Sequence, residues 1–187
     1  MSDINEKWTA WADPRNVLDK YKGWDTDAIK ADVKKNSLPI AIMMSQIISD
    51  FNFSSLCRSA NAIGARDIYY YGKKKFDPRG CQGVTHYSDI TFLPSFDDII
   101  ALKERYSFVA LENNINREIV PLNQFDWNTK RPPLVIVGEE SIGIGNDVLD
   151  LCDHFVEILM RGSIRSINAA ASASICLYDY ASKRVKI

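Results

Sequence analysis

PPLVIVGEESIGIG, residues 132–145, is the stretch from which the fold can be read. Leu134, Val135, Ile136 and Val137 form an unbroken apolar run, the mark of a strand buried on both faces. The run ends in a turn carrying Gly138, Gly143 and Gly145. Strands of this kind belong to parallel sheets, whose neighbours need crossover connections, usually helices.

The flanks supply that alternation. Downstream, NDVLDLCD (146–153) reads as a short helix and HFVEIL (154–159) as a strand. SINAAASASICLYDYASKR (166–184) reads as a long helix with small residues over its first two turns. Upstream lie a strand SFVALE (107–112) and a helix SFDDIIALKERY (95–106), with Ser95 and Asp98 as a capping-box variant. Residues 73–94 read as loop, with Pro78, Gly80, Gly83 and Pro94. RDIYYYG (66–72) is a strand. NFSSLCRSANAIGA (52–65) is a helix, with Asn52 as its cap and Gly64 near its end. LPIAIMM (38–44) is the first buried strand. The expected fold is α/β, a mostly parallel sheet with helices on both faces.

Residues 1–37 read as an N-terminal helical extension to a body spanning 38–187. Asp13-Pro14 suits the start of a helix running to Lys22, and a second helix runs from Asp25 to just before Asn36. Trp8, Trp11, Tyr21 and Trp24 make the extension aromatic. They serve either to pack it onto the body or to stack on unpaired bases.

The composition limits the classes of function. The chain has 187 residues, 46% hydrophobic and 25% charged, with a net charge of −1. That suits one globular domain with a sizeable core. No run approaches the roughly 20 apolar residues of a membrane span, and MSDINEKWTAWADPR lacks the apolar core of a secretory signal. No membrane association is expected. Cys57, Cys81, Cys152 and Cys176 are far apart, and with His86 and His154 they offer no zinc spacing. No metal is expected, and free thiols point to the cytoplasm. A broad basic face is excluded by the charge balance. Local clusters remain: Lys73–Lys75 with Arg79, Arg161 with Arg165, and Lys183, Arg184 and Lys186.

Three strand exits carry unusual residues, and ligands of parallel sheets bind at the carboxyl ends of strands. The first exit leads to Asn52 and Arg58, with Ser54 and Ser55 on the arginine's face. An arginine there grips a ligand, or else caps a carbonyl or pairs with an acid. The second is VGEESIGIG (137–145), whose glycines allow a close backbone approach or make a plain turn. It is neither a Walker A loop nor GxGxxG, and Glu139 and Glu140 would repel a pyrophosphate. The third is ILMRGSIRSINAAASAS (158–174), where Ser166 and Asn168 stand at a helix N-terminus.

The ordered set Asn52…Arg58, Gly138-x-Glu140-x-x-Gly143 and Ile158-x-Met160…Ser166-Ile167-Asn168 resembles the SpoU (TrmH-like) family of RNA ribose 2′-O-methyltransferases, within the SPOUT class. The resemblance spans roughly residues 38–183 and is strongest in RGSIRSINAAASAS. It implies a sheet whose C-terminal portion threads a loop into a deep trefoil knot, and a homodimer with active sites near the interface. It implies S-adenosyl-L-methionine as cofactor, contacted by Leu111, Gly138, Ile158 and Ser166, with Met160 and Ile167 as apolar walls around adenine. Asn52, Arg58, Glu140 and Asn168 match the catalytic positions. The implied partner is tRNA or rRNA. Two positions depart from the family pattern: Leu159 replaces a common proline and Ser141 a frequent glycine. Neither removes a reactive side chain.

The residue types fit such chemistry. Methyl transfer from a sulfonium to a ribose hydroxyl is an in-line displacement that needs positioning and no covalent intermediate. Arginine stays protonated in proteins and is a poor base. Arg58 is therefore expected to grip the adjacent phosphate bidentately and stabilise the developing alkoxide. The competing readings are a non-catalytic RNA-binding module that keeps the fold, and a Rossmann-type nucleotide enzyme, which the missing phosphate loop disfavours.

Overall fold

The structure, a computed structural model, describes residues 13–47, 49–113, 115–139 and 142–184. The readings made for Trp8, Trp11, Glu140, Ser141 and Lys186 lie outside the described residues.

Among the described residues, strands β1 (Leu38–Ile47), β2 (Ala65–Gly72), β3 (Asp89–Leu93), β4 (Ser107–Leu111), β5 (Val120–Pro121), β6 (Pro133–Val137) and β7 (His154–Glu157) form one sheet. Its order is β3-β2-β1-β6-β4-β7-β5, and every pairing is parallel. Side chains alternate between the two faces, as the pleat requires. Ile40, Ile42 and Met44 of β1, with Val135 and Val137 of β6, join one core. Ala41, Met43, Leu134 and Ile136 join the other. Leu134 and Ile136 are fully buried, and each such side chain contributes about 1.5–3 kcal/mol.

Helices cover both faces. α2 (Asp50–Ile63) and α5 (Ala169–Arg184) pack on the first core through Phe53, Leu56, Ala60, Ala173 and Leu177. α3 (Phe96–Ala101) and α4 (Asn146–Leu149) cover the second through Ile99, Val148 and Leu149. Ala173 is fully buried, and the Ser174 hydroxyl meets that of Ser59 at 2.7 Å, so the small-residue run of α5 lies close against α2. α1 (Thr26–Lys35) begins after Asp25 and ends at Asn36, as expected. Lys30 and Lys34 tie it to Asp89 of β3.

Four local readings need correction. Asp13-Pro14 opens no helix; among the described residues, one 3-10 turn, Asp19–Tyr21, is all that forms before α1. The Asp13 carboxylate instead accepts bonds from the Arg15 guanidinium and from Gly23 N–H, folding the segment into a loop. Asn52 does not cap α2, because the helix starts at Asp50, with Ser49 at the N-cap position. Residues 73–94 contain strand β3, which the prolines and glycines around it hide. The last helix starts at Ala169 rather than Ser166. The expected αL glycine at the end of α2 is present, with Gly64 at φ 94°. Ser95 and Asp98 make the capping box.

No helix among the described residues is long and apolar enough to cross a membrane. No group of three His, Cys, Asp or Glu among them is placed to hold a metal ion.

Candidate active site

Strands β1, β4, β6 and β7 run parallel, so their exits crowd one edge of the sheet. The β6 exit turns back on itself. Gly143 N–H donates to the Glu139 carbonyl at 2.8 Å. A Cβ on Gly138 would lie 2.2 Å from the Gly143 carbonyl carbon, so no side chain fits there. Gly143 has φ 67°, and a Cβ on it would meet Glu112 Oε2 at 2.7 Å. Gly138 is therefore demanded by close backbone approach and Gly143 by its positive φ.

Glu112, just past β4, locks this loop. Its Oε2 accepts Ile144 N–H at 3.0 Å, and its Oε1 accepts Asn113 N–H at 3.0 Å. Asn113 then donates through Nδ2 to the Arg165 carbonyl at 2.8 Å, joining the β4 exit to the β7–α5 loop. Sequence reading missed Glu112 and Asn113. The available signal was a carboxylate directly after the apolar run SFVAL.

Asn168 stands between the cleft-lining residues Ile167 and Ala169. Its Oδ1 accepts the N–H groups of Ala170 and Ala171 at 2.9 and 3.2 Å, capping α5. Its Nδ2 donates to Asn52 Oδ1 at 2.7 Å. Asn52 is 5% exposed, in the first turn of α2. One amide thus caps a helix and fixes a second amide 116 residues away in the chain.

These loops enclose a cleft of about 310 Å³. Leu111, Gly138, Ile158, Met160, Ser166 and Ile167 all line it. Among the described residues its charged lining is Glu112, Glu139, Glu157 and Arg165, so carboxylates predominate and the cleft favours a ligand with positive charge. Its size is at the lower end of small-molecule sites, about 300–1,000 Å³.

Arg58 is placed differently. It is exposed and lines a second cavity of about 650 Å³, between α2 and the segment before β1. Its side chain makes no ion pair among the described residues. Behind it, Ser54 is buried and donates to the Asp77 carbonyl. The Cys81 thiol, also in this wall, is drawn down to about 7. Its hydrogen bond with Cys57 is the main cause, helped by Ser54 and by the charge of Arg58. Cys57 is pushed up by the same contact and by burial. The structure therefore brings Asn52 to Asn168 and leaves Arg58 outside the cleft of its own chain. Glu140 lies outside the described residues.

The sequence matches the SpoU rRNA Methylase family over residues 39–178, from β1 into α5. The tRNA (guanosine(18)-2′-O)-methyltransferase of Aquifex aeolicus (strain VF5) is 23% identical over 152 residues, covering 79% of this chain and 71% of that protein. The 23S rRNA (uridine(2479)-2′-O)-methyltransferase of Streptomyces viridochromogenes is 28% identical over 156 residues, covering 78% of this chain and 53% of that one. The chain thus spans only part of the length of the curated relatives it matches. The crystal structure of the SpoU methyltransferase AviRb from S. viridochromogenes, in complex with the cofactor AdoMet, is similar with a TM-score of 0.69. It is 26% identical, over 80% of this chain and 58% of that chain. The TrmH/SpoU tRNA modifying enzyme of A. aeolicus shares the fold, with a TM-score of 0.72 at 22% identity, over 85% of this chain and 82% of that one. By sequence and by fold, the chain belongs to the SpoU rRNA methylase family.

Proposed function

We propose that the chain is an S-adenosyl-L-methionine-dependent RNA methyltransferase that methylates a ribose 2′-hydroxyl in tRNA or rRNA. The proposal includes a cytoplasmic homodimer, a knotted C-terminal segment, and residues 1–37 as an extension to a methyltransferase domain spanning 38–187. The observation that carries it is the convergence of Leu111, Gly138, Ile158, Met160, Ser166 and Ile167 on one cleft, in a chain of this family.

The residues of the cleft fit the cofactor. Ile158, Met160 and Ile167 offer an apolar slot for a purine, and strand-end backbone offers hydrogen bonds. Glu112, Glu139 and Glu157 suit a sulfonium and an ammonium, and Arg165 suits a carboxylate. When bound, the cofactor supplies an electrophilic methyl group. The protein's own contribution is to hold the acceptor hydroxyl in line and exclude water. Asn168 holds Asn52, and Glu140 with Asn52 orients Arg58. Arg58 grips the phosphate beside the acceptor ribose and stabilises the developing alkoxide, while the proton leaves to that phosphate or to water.

The separation of Arg58 from its own chain's cleft favours the dimer. Exposed apolar side chains are available for docking: Phe51 on α2 is 75% exposed, and Ile175 and Tyr178, one turn apart on α5, are 44% and 63% exposed. A second copy docked there sets Arg58 against the neighbouring cleft.

The test is transfer of labelled methyl from S-adenosylmethionine to bulk tRNA or rRNA, followed by digestion to nucleosides. The expected product is a ribose 2′-O-methylated nucleoside. Binding of both ligands without transfer would favour the non-catalytic module instead. Arg58→Lys is expected to lower turnover about tenfold to a hundredfold, the worth of a charged, bidentate contact. Near-native turnover with lysine would count against bidentate gripping.

A further inference from the structure

We infer that the 650 Å³ cavity between α2 and the segment before β1 is a nucleotide subsite, holding one ribonucleotide of the substrate RNA with its phosphate on Arg58 and its base beside Tyr87. The inference rests on the proposed RNA substrate and adds where that RNA is read.

Charge argues for an anion. Among the described residues that line the cavity, Arg58 is the only one with a permanent charge, and none is a carboxylate. The cleft at the carboxyl edge is the opposite, with Glu112, Glu139 and Glu157 in its wall. A cationic donor and an anionic acceptor strand are thus sorted between two sites of opposite sign. On α2, Asn52, held by Asn168, and Arg58 stand six residues apart, about 9 Å at the rise of an α-helix.

The remaining lining suits a base. Half-buried Tyr87, with Leu18 and Val84, gives an aromatic and apolar surface. The amides of Asn16 and Gln82 carry both donors and acceptors, the groups that read base edges. Single-stranded nucleotides are recognised by this combination of stacking and edge contacts.

The wall is built rather than loose. Asp13, 7% exposed, takes the Arg15 guanidinium at 2.6 Å and Gly23 N–H at 3.0 Å. Arg15 also donates to the Trp24 carbonyl at 2.7 Å, and Lys22 to the Arg15 carbonyl at 2.5 Å. Tyr21, inside the cavity wall, donates to Asp32 at 2.8 Å. A preformed wall lowers the ordering needed on binding.

The test fills the cavity without touching Arg58. Ala62 is an exposed α2 residue in the lining, and Ala62→Trp blocks the space for a base. Each of the four ribonucleoside 5′-monophosphates is titrated into the isotope-labelled full chain, and tRNA and rRNA fragments are titrated into native and variant protein. The expected result is nuclear resonance shifts at Tyr87, Gln82 and Ala62 with at least one monophosphate, competed by RNA. Ala62→Trp is expected to abolish those shifts and weaken RNA binding at least about tenfold, a stacked base's worth. S-adenosylmethionine affinity stays unchanged. The double variant Asn16→Ala, Gln82→Ala serves if Ala62→Trp melts early, with the same expected loss. Native RNA affinity in both variants, or a monophosphate that binds here without competing with RNA, overturns the subsite. Loss of methyl transfer by a native protein that still binds nucleotide here overturns the proposed activity and leaves the subsite standing.

Discussion

Asn168 does two separable things, and a single substitution can divide them. Asp is as good a helix cap as Asn, so Asn168→Asp keeps the bonds from Ala170 and Ala171. It loses the Nδ2 donor to Asn52. The variant is expected to melt close to the native protein while turnover falls about tenfold or more. Asn168→Ala is expected to lose about 1–2 kcal/mol as well, read from a denaturant curve. Asp13 makes a second test. The Arg15 guanidinium, and then the Gly23 and Arg15 N–H groups, hold its carboxyl well below the usual carboxylate range. A depressed folded value means that its contribution is complete above about pH 4 and is lost as pH falls towards the folded value. The melting gap between native protein and Asp13→Asn should be constant from neutrality to about pH 5 and close on further acidification. Asn168 was legible because an amide before an Ala/Ser run signals a helix start. Asn52 was misread as a cap because Ser49-Asp50 three residues earlier competes for the same role, and its real partner is distant in sequence.

At the level of elements, the buried strands read clearly where apolar runs end in glycine or a polar turn, as β6 does at Gly138. β3 did not, since an edge strand of five residues with only Leu93 buried carries little apolar signal. The helix expected from Asp13 to Lys22 failed for a tertiary reason: besides the Arg15 N–H, the Asp13 carboxylate takes the Arg15 guanidinium and the N–H of Gly23, ten residues away, which folds the segment back on itself. That loop, with α1, forms one wall of the cavity beside Arg58. Deleting residues 1–36 should therefore weaken RNA binding more than S-adenosylmethionine binding, measured by parallel titrations. Equal losses of both would make the segment a structural support alone.

For the whole molecule, a net charge of −1 conceals two sites of opposite sign. Patterning revealed the sheet and the three converging loops, because strand exits of a parallel sheet share an edge. It did not reveal that Arg58 lines a separate cavity, because its neighbours there, Asn16, Leu18 and Tyr87, are distant in sequence. The proposed dimer is tested at the same scale. Tyr178→Glu, on the exposed apolar face of α5, should yield a monomer by sedimentation that keeps its fold and S-adenosylmethionine affinity but loses methyl transfer. An active monomer would place Arg58 in its own chain's site after all. The central claim, that the strand exits form the donor site, is tested most directly by calorimetric titration of S-adenosylmethionine into native protein and Gly138→Ala. The Gly138→Ala Cβ has no space against Gly143, so the expected result is one ligand bound per native chain and binding lost in the variant. Equal binding by both proteins, or none by the native protein, would contradict the account.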